Sequence, residues 1–146
     1  MDEVRMTTDR VRLMMQRMLE LHNGVRQRHG LHPLSEQTNL GQAAMLHALD
    51  LQAHDLFSHT GSDGSDPGAR IKRAGYFWST FEENIAWGVK QVGTPEATFE
   101  RWMNSAPHKA NILGQNVLDV GFGCATGEYM NRTSARVWVV DFGRRS

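Results

Sequence analysis

Three residues whose side chains commonly bind divalent metals stand in separate parts of the sequence. His59 lies at the edge of a glycine-rich segment, His108 lies in a short capped turn, and Glu83 lies in the Glu82-Glu83-Asn84-Ile85 stretch between them. Two neutral imidazoles and a carboxylate, completed by water, form a credible site for a divalent cation such as zinc. The chain has no His-Glu-x-x-His motif to bring such ligands together locally, so the fold must assemble them.

The same residues also suit hydrolytic chemistry. Ser105 stands three residues before His108, a spacing that places both on one helical face, and Glu83 could orient the imidazole. Alternatively, His108 could act as a general base on a bound water. However, Ser105-Ala106-Pro107-His108 is typical of a helix start, which favours Ser105 as an N-cap residue, and the chain lacks a Gly-x-Ser-x-Gly elbow. The catalytic candidates are therefore His59, Glu83 and His108, with no roles assigned.

The other five histidines are predicted to be structural. His22, His29 and His47 lie on apolar helical stripes, where a partly buried, hydrogen-bonded histidine is expected. His54 falls at the end of a helix, where a cation is stabilised by the helix dipole. His32 stands beside a turn and is expected to be solvated.

Length and charge limit the classes of function. The chain has 146 residues, the size of one domain (1–146), and a formal net charge of zero. A balanced charge gives no electrostatic basis for binding nucleic acid. A single cysteine, Cys124, cannot form an internal disulfide or a zinc knuckle, and we expect it to be a small buried strand residue. No stretch approaches the roughly 18 apolar residues of a membrane-spanning helix.

The amino terminus shows no targeting segment. Met1-Asp2-Glu3-Val4-Arg5 carries charges of both signs and is followed by no apolar h-region. The sequence is compatible with a cytoplasmic protein and equally with a chain trimmed after its signal, so the compartment stays open at this point.

Hydrophobic periodicity and turn residues place helices early in the chain and strands late. The predicted helices cover residues 8–29, 39–56, 69–74 and 105–112, with another opened by Thr94-Pro95-Glu96, and the predicted strands cover 85–87, 119–125 and 135–142. A polar loop at 127–134 separates the last two strands. Because no regular βαβ alternation occurs, the pattern predicts an α+β fold with a small antiparallel sheet and helices packed on its faces.

Ordered motifs run from about residue 14 to residue 143. They include His22-Asn23-x-x-Arg26, Phe57-Ser58-His59-Thr60, Glu83-Asn84-Ile85-Ala86-x-Gly88, Trp102-x-x-Ser105-x-x-His108-x-x-Asn111-Ile112-Leu113 and Val120-Gly121-Phe122-Gly123. In this order they resemble the CAP superfamily (cysteine-rich secretory, antigen-five and pathogenesis-related proteins), and specifically its bacterial SCP-like extracellular domains.

The resemblance implies an α-β-α sandwich and a cleft that in relatives can bind zinc or another divalent cation. By motif, the cleft residues and metal ligands would be His59, Glu83 and His108, and no organic cofactor is implied. The resemblance also implies an exported protein, extracellular or periplasmic.

Three features depart from the patterns of relatives. Where larger relatives have an acid after the tryptophan, this chain has Ser105, which leaves a fourth ligand open, with Glu82, Glu100 and Asp141 as candidates. Glu82 also replaces a usual glycine and adds negative charge beside the cleft. The disulfides of eukaryotic members are impossible with one cysteine.

Several neighbours of the cleft are expected to support it. Ser105 and Glu82 belong to this group by position, together with Asn84 and Asn111, whose amides are expected to brace loops through backbone hydrogen bonds. Arg70 is expected to hold down the glycine-rich loop rather than to meet a ligand.

Three functions follow as hypotheses. The first is an exported binding module that holds a cation, a small ligand or a lipid without turnover. The second is a hydrolase, metal-assisted or dependent on His108. The third is a scaffold for protein contacts, which would use exposed apolar residues such as Phe77, Trp78 and Phe81.

Overall fold

Five α-helices, a short 3₁₀ helix (Lys90–Gly93) and four strands make up the part of the chain described by the computed structural model, which covers the backbone of residues 2–146 and the side chains of residues 8–146. The helices are α1 (Asp2–Arg28), α2 (Thr38–Ala53), α3 (Pro67–Arg73), α4 (Pro95–Met103) and α5 (Ala106–Ile112). The strands are β1 (Ser35–Glu36), β2 (Trp78–Val89), β3 (Asp119–Tyr129) and β4 (Arg132–Arg145).

The strands form one sheet in the order β1-β3-β4-β2. The pairs β3–β4 and β2–β4 are antiparallel, whereas β1 pairs in parallel with β3. The predicted α+β class is therefore confirmed, but the sheet is mixed rather than wholly antiparallel. Strand β1 was not predicted because its two residues are both exposed and show no hydrophobic alternation.

Helices cover both faces of the sheet, as in an α-β-α sandwich. Successive residues of a strand point to opposite faces, so β4 contributes to two separate cores. One core joins α1, α4 and α5 to the sheet through apolar residues that include Met18, Phe99, Trp102, Ile112, Trp138, Val140 and Phe142. The other joins α2 to the sheet through Ala44, Ala48, Leu51, Ile85, Val137 and Val139.

Two glycines let helix α2 lie unusually close to strand β3. A Cβ atom at Gly121 would collide with the backbone of Gly41, and one at Gly123 would collide with the backbone of Ala44. Because α2 carries His47, this close packing also fixes that histidine against the sheet.

Element boundaries differ from prediction at several places. Helix α1 begins at Asp2 rather than at residue 8, and β2 is 12 residues long rather than three. The predicted loop at 127–134 is mostly strand, with a tight turn at Met130 and Asn131, whose φ values are 52° and 62°. Positive φ at both central residues is the geometry of a two-residue hairpin loop. The sequence predicted a longer loop because the ends of the two strands are polar.

Three aromatic residues predicted as an exposed surface behave differently from one another. Phe77 is exposed, but Trp78 donates from Nε1 to the carbonyl of Gly68 at 2.9 Å and packs edge-on against Phe81. The scaffold hypothesis was therefore wrong about Trp78 and Phe81, because both are partly buried in the small core that includes Ile71.

Cys124 is buried in β3, as predicted, and burial raises its pKa to about 11. Among the described residues, no helix is long and apolar enough to cross a membrane.

Candidate functional site

Strand β2 lies at one edge of the sheet, and helices α4 and α5 cover that edge. An edge strand has one row of backbone groups without a partner strand. Trp102 of α4 donates from Nε1 to the carbonyl of Ile85 at 3.0 Å, and Asn111 of α5 donates from Nδ2 to the carbonyl of Glu83 at 3.4 Å. These contacts hold α5, and with it His108, beside the segment that carries Glu83.

Glu83 is the centre of the hydrogen-bond network at this edge. Its side chain is buried and accepts a hydrogen bond from His59 Nδ1 at 2.8 Å. Arg70 Nη2 lies 3.2 and 3.0 Å from the two carboxylate oxygens. Burial raises the pKa of Glu83, but the hydrogen bonds from His59 and Asp141 and the charge of Arg70 outweigh it and lower that pKa. Glu83 is therefore an ionised carboxylate at neutral pH.

Asp141 lies directly across from Glu83 in the register of β2 and β4. It has no exposed surface, and its oxygens accept no hydrogen bond from the described donors. Burial, and then repulsion from Glu83, raises its pKa well above the usual range. Protonated Asp141 can donate to Glu83, whereas two carboxylates could not bond to each other. Asp141 thus lies behind Glu83 and does not reach solvent as a fourth ligand would.

Arg70 connects Glu83 to the glycine-rich loop. It belongs to α3 and is 8% exposed, with Nη1 donating to the carbonyl of Ser65 at 2.8 Å while Nη2 contacts Glu83. The expected anchoring of the loop is present, but sequence reasoning missed the contact with Glu83. The two residues are brought together only by the packing of α3 against β2.

His47 is a further member of the site that sequence reasoning treated as structural. It is buried, and its Nε2 donates to the carbonyl of Ser58 at 2.8 Å and lies 3.9 Å from Glu83 Oε1. Burial lowers its pKa more than the charge of Glu83 raises it, so the ring is neutral at pH 7. His47 therefore fixes the backbone just before His59.

His59 and His108 are alike in that Nδ1 of each ring contacts another side chain. His59 is half exposed, with Nδ1 bound to Glu83, and His108 is partly buried, with Nδ1 2.8 Å from Ser105 Oγ. Burial, and then the charge of His59, lowers the pKa of His108. Among the described hydrogen bonds, none involves Nε2 of either ring.

Ser105 occupies the N-cap position of α5, but its side chain does not cap the helix. The hydroxyl contacts His108 Nδ1 instead, so the predicted capping role was wrong. The reason is that His108 lies one turn along the helix and competes for the hydroxyl.

The amides of Asn84 and Asn111 brace the same segment. Asn84 donates to the carbonyl of His108 at 3.1 Å, and Asn111 donates to the Asn84 side chain at 2.8 Å. Glu82 and Glu100 are both exposed, and the structure describes no contact of either with His59, Glu83 or His108. Glu82 alternates with Glu83 along β2 and therefore points to the opposite face of the sheet.

The described residues include no group of three or more His, Cys, Asp or Glu side chains placed to hold one metal ion. Glu83 is already engaged by His59 and Arg70. Glu83 thus lies behind His59 as a hydrogen-bond acceptor, which is where a carboxylate commonly lies behind a metal-binding histidine.

A family model described as the cysteine-rich secretory protein family, CAP, matches residues 19–142. The chain is 36% identical over 107 residues to YkwD of Bacillus subtilis (strain 168), covering 73% of this chain and 40% of that protein. It is 28% identical over 106 residues to the membrane protein YlbC of the same organism, covering 73% of this chain and 30% of that one. The chain thus spans less than half the length of both relatives.

Solved structures share the fold. An outer surface protein from Borrelia burgdorferi superposes with a TM-score of 0.79 at 21% identity, covering 90% of this chain and 92% of that one. An extracellular protein containing an SCP domain from Bacillus anthracis str. Ames superposes with a TM-score of 0.76 at 26% identity, covering 90% of this chain and 40% of that one.

Proposed function

The chain belongs to the cysteine-rich secretory protein (CAP) family, and we propose that it is an exported binding module whose paired imidazoles hold a divalent cation. The observation that supports this most directly is the pair of Nδ1 contacts: His59 to Glu83 and His108 to Ser105, each at 2.8 Å. Each contact leaves Nε2 of its ring available.

The hydrogen bond to Glu83 selects the form of His59 that can bind a metal. An ionised carboxylate only accepts hydrogen bonds, so the proton of neutral His59 lies on Nδ1 and the lone pair lies on Nε2. Arg70 and Asp141 hold the Glu83 carboxylate from behind. In this proposal His59 and His108 bind the ion and Glu83 acts through His59.

The surroundings of His108 also favour an imidazole that can bind a metal. Metal binding requires a neutral imidazole, and burial lowers the pKa of His108. Two protein ligands with water completing the shell give modest, reversible binding, which suits a module that exchanges its cation. Zinc is the first candidate because nitrogen ligands suit it well.

Export is proposed from the relatives. The Bacillus anthracis protein that shares the fold is described as extracellular, and the Borrelia burgdorferi protein as an outer surface protein. An extracellular or periplasmic location for this chain would agree with both.

A hydrolase is the second candidate, and the contact between Ser105 and His108 favours it. A serine hydroxyl 2.8 Å from an imidazole nitrogen can lose its proton to that ring. However, Glu83 bonds to His59 and not to His108, so the histidine beside the serine lacks the carboxylate that orients the base in a triad.

The test is a calorimetric zinc titration of the wild type and of the His59→Ala/His108→Ala variant. We expect stoichiometric binding that this variant loses. The matched control is His29→Ala/His32→Ala, which removes two exposed imidazoles elsewhere and should bind zinc as the wild type does. Unchanged binding in His59→Ala/His108→Ala would contradict the proposal. Loss of ester hydrolysis in Ser105→Ala with zinc binding intact would favour the hydrolase.

A further inference from the structure

The two histidines of the proposed cation site have different kinds of partner at the same ring atom. Nδ1 of His59 lies 2.8 Å from a carboxylate oxygen of Glu83, and Nδ1 of His108 lies 2.8 Å from the hydroxyl of Ser105. A carboxylate only accepts hydrogen bonds, whereas a hydroxyl both donates and accepts. The partner therefore fixes the position of the proton in neutral His59 but not in neutral His108.

Glu83, the partner of His59, is held as a charged acceptor. Arg70 Nη2 lies 3.2 and 3.0 Å from its two carboxylate oxygens, and the side chain of Glu83 is 1% exposed. Because this carboxylate stays ionised, Nδ1 of His59 is the donor in their hydrogen bond. The lone pair of neutral His59 is therefore on Nε2 before any cation arrives.

Ser105, the partner of His108, has a fixed backbone and an uncommitted hydroxyl. Its N–H donates to the carbonyl of Trp102 at 3.1 Å, and its carbonyl accepts from the N–H of Lys109 at 2.9 Å. The hydroxyl does not cap α5, and among the described residues His108 is its only hydrogen-bond partner. The hydroxyl can therefore turn its proton toward Nδ1 of His108 or away from it without breaking another described hydrogen bond.

The ring of His108 depends on Ser105 for its orientation. Asn84 holds the main chain of His108 by donating to its carbonyl at 3.1 Å, but the contact with Ser105 is the only hydrogen bond described for the ring. His108 is partly exposed, and its Nε2 is not among the buried side-chain atoms that lack a partner in the described part of the chain. Nε2 therefore reaches solvent, where it can present a proton to water or a lone pair to a cation.

Two general properties of histidine favour a proton on Nε2 of His108 when no cation is present. A neutral histidine ring in water prefers this tautomer, and a ring nitrogen with a lone pair is a stronger hydrogen-bond acceptor than a hydroxyl oxygen. Both properties favour a hydroxyl of Ser105 that donates to Nδ1. A cation at Nε2 requires the opposite arrangement, with the ring proton on Nδ1 and the hydroxyl as its acceptor.

We propose that His108 is the exchangeable ligand of the pair, and that Ser105 is the positioning residue that permits the exchange. This inference rests on the proposed cation site. In the cation-free protein the hydroxyl of Ser105 donates to Nδ1 of His108. When the site fills, Nε2 loses its proton to water, Nδ1 takes one from water, and the hydroxyl rotates to accept from Nδ1. The ring stays neutral and the serine keeps its own proton, while His59 has the same tautomer in both states.

The experiment is a long-range ¹H–¹⁵N NMR spectrum of the imidazole rings of the full chain, recorded without zinc and with zinc in excess. It is recorded at about pH 8, where a histidine of ordinary pKa is neutral. The ¹⁵N shift of each ring nitrogen shows whether it carries a proton, and the His59→Ala and His108→Ala variants assign the signals. We expect His59 to carry its proton on Nδ1 in both spectra. We expect the proton of His108 to move from Nε2 to Nδ1 when zinc binds.

Two serine variants test the hydroxyl itself. Ser105→Ala removes the acceptor for Nδ1–H in the bound form and should weaken zinc binding by about tenfold, as the loss of such a supporting hydrogen bond commonly does. Ser105→Thr keeps the hydroxyl and is the matched control, which should bind zinc nearly as the wild type does and show the same change of tautomer. Because Ser105 makes no cap hydrogen bond, neither substitution should disturb α5.

Three results would overturn the proposal while leaving the cation site in place. They are a proton on Nδ1 of His108 in the zinc-free protein, a tautomer of His108 that zinc does not change, and equal zinc affinities of Ser105→Ala and the wild type. Failure of the cation site itself has a different signature, the absence of calorimetric zinc binding by the wild type, and that result would overturn both proposals.

Discussion

Glu83 and Asp141 face each other across the antiparallel strands β2 and β4, and both are buried. Arg70 forms an ion pair with Glu83. One arginine balances one carboxylate. The second carboxyl group therefore remains neutral by keeping its proton, and Asp141 is that group because it has no cation of its own. The cluster holds Glu83 in place for His59.

Replacing Asp141 by asparagine should make the protein more stable at neutral pH. Folded Asp141 keeps its proton while the unfolded chain releases it, so the stability of the wild type falls as pH rises through this window. The slope contributed by one group is about 1.4 kcal/mol per pH unit. The amide of the asparagine would keep a donor for Glu83 without this cost. Urea unfolding from pH 5 to pH 8 measures the difference in free energy of unfolding between Asp141→Asn and the wild type, and this difference should grow with pH.

The control for that series is Asp9→Asn, which alters an exposed aspartate in α1. Its stability relative to the wild type should not vary in the same way with pH. A constant difference between Asp141→Asn and the wild type across the range would show that Asp141 is ionised in the folded state.

Removing the positive charge of Arg70 should be strongly destabilising, because it leaves a buried carboxylate unpaired. We expect Arg70→Met to lower the free energy of unfolding by about 3–5 kcal/mol. Glu83→Gln removes the charge that Arg70 balances, so Arg70→Met/Glu83→Gln should lose less than the sum of the two single variants. Chemical denaturation of all four proteins measures this coupling. Strict additivity would mean that the pair contributes no specific interaction.

The elements and the fold class could be predicted because their signals are local. Thr94 followed by Pro95 marks the start of α4, and the hydroxyl of Thr94 accepts from the backbone of Ala97. Apolar periodicity similarly located α2. The hairpin turn at Met130 and Asn131 was missed because its residues lack the glycine that usually marks such a turn.

The candidate site was predictable only in part, because most of its partners are distant in the sequence. The family motifs pointed to His59 and Glu83, and these two are hydrogen bonded. The neighbours of Glu83 depend on strand register and helix packing, which no short motif records. Asp141 in particular stands in a run of valines and phenylalanine that indicates an ordinary buried strand.

Alanine substitutions at two N-cap positions should have unequal effects. Thr94 Oγ1 accepts a hydrogen bond from the backbone of Ala97, whereas Ser105 makes no such bond. We therefore expect Thr94→Ala to cost about 1 kcal/mol of stability and Ser105→Ala less than about 0.5 kcal/mol. Urea denaturation at one pH compares the two, each serving as the control for the other. Equal losses would contradict the expectation that the cap hydrogen bond of Thr94 makes it the more stabilising of the two residues.

Acid should destabilise the protein through His22, which is buried among aromatic rings. Phe99, Phe122 and Phe142 surround it, and burial lowers its pKa to about 4 from an ordinary value of 6.5. Between these values the unfolded chain binds a proton that the folded protein refuses, so stability falls as pH drops from 6.5 to 4. The shift corresponds to about 3 kcal/mol.

Replacing His22 by phenylalanine should remove this part of the loss of stability in acid, because the phenylalanine ring is apolar and cannot titrate. The control His29→Phe, at an exposed position, should lose as much stability in acid as the wild type does. Urea unfolding at about pH 6.5 and about pH 4 distinguishes them, and an equal acid loss in His22→Phe and the wild type would mean that His22 does not resist protonation in the folded state.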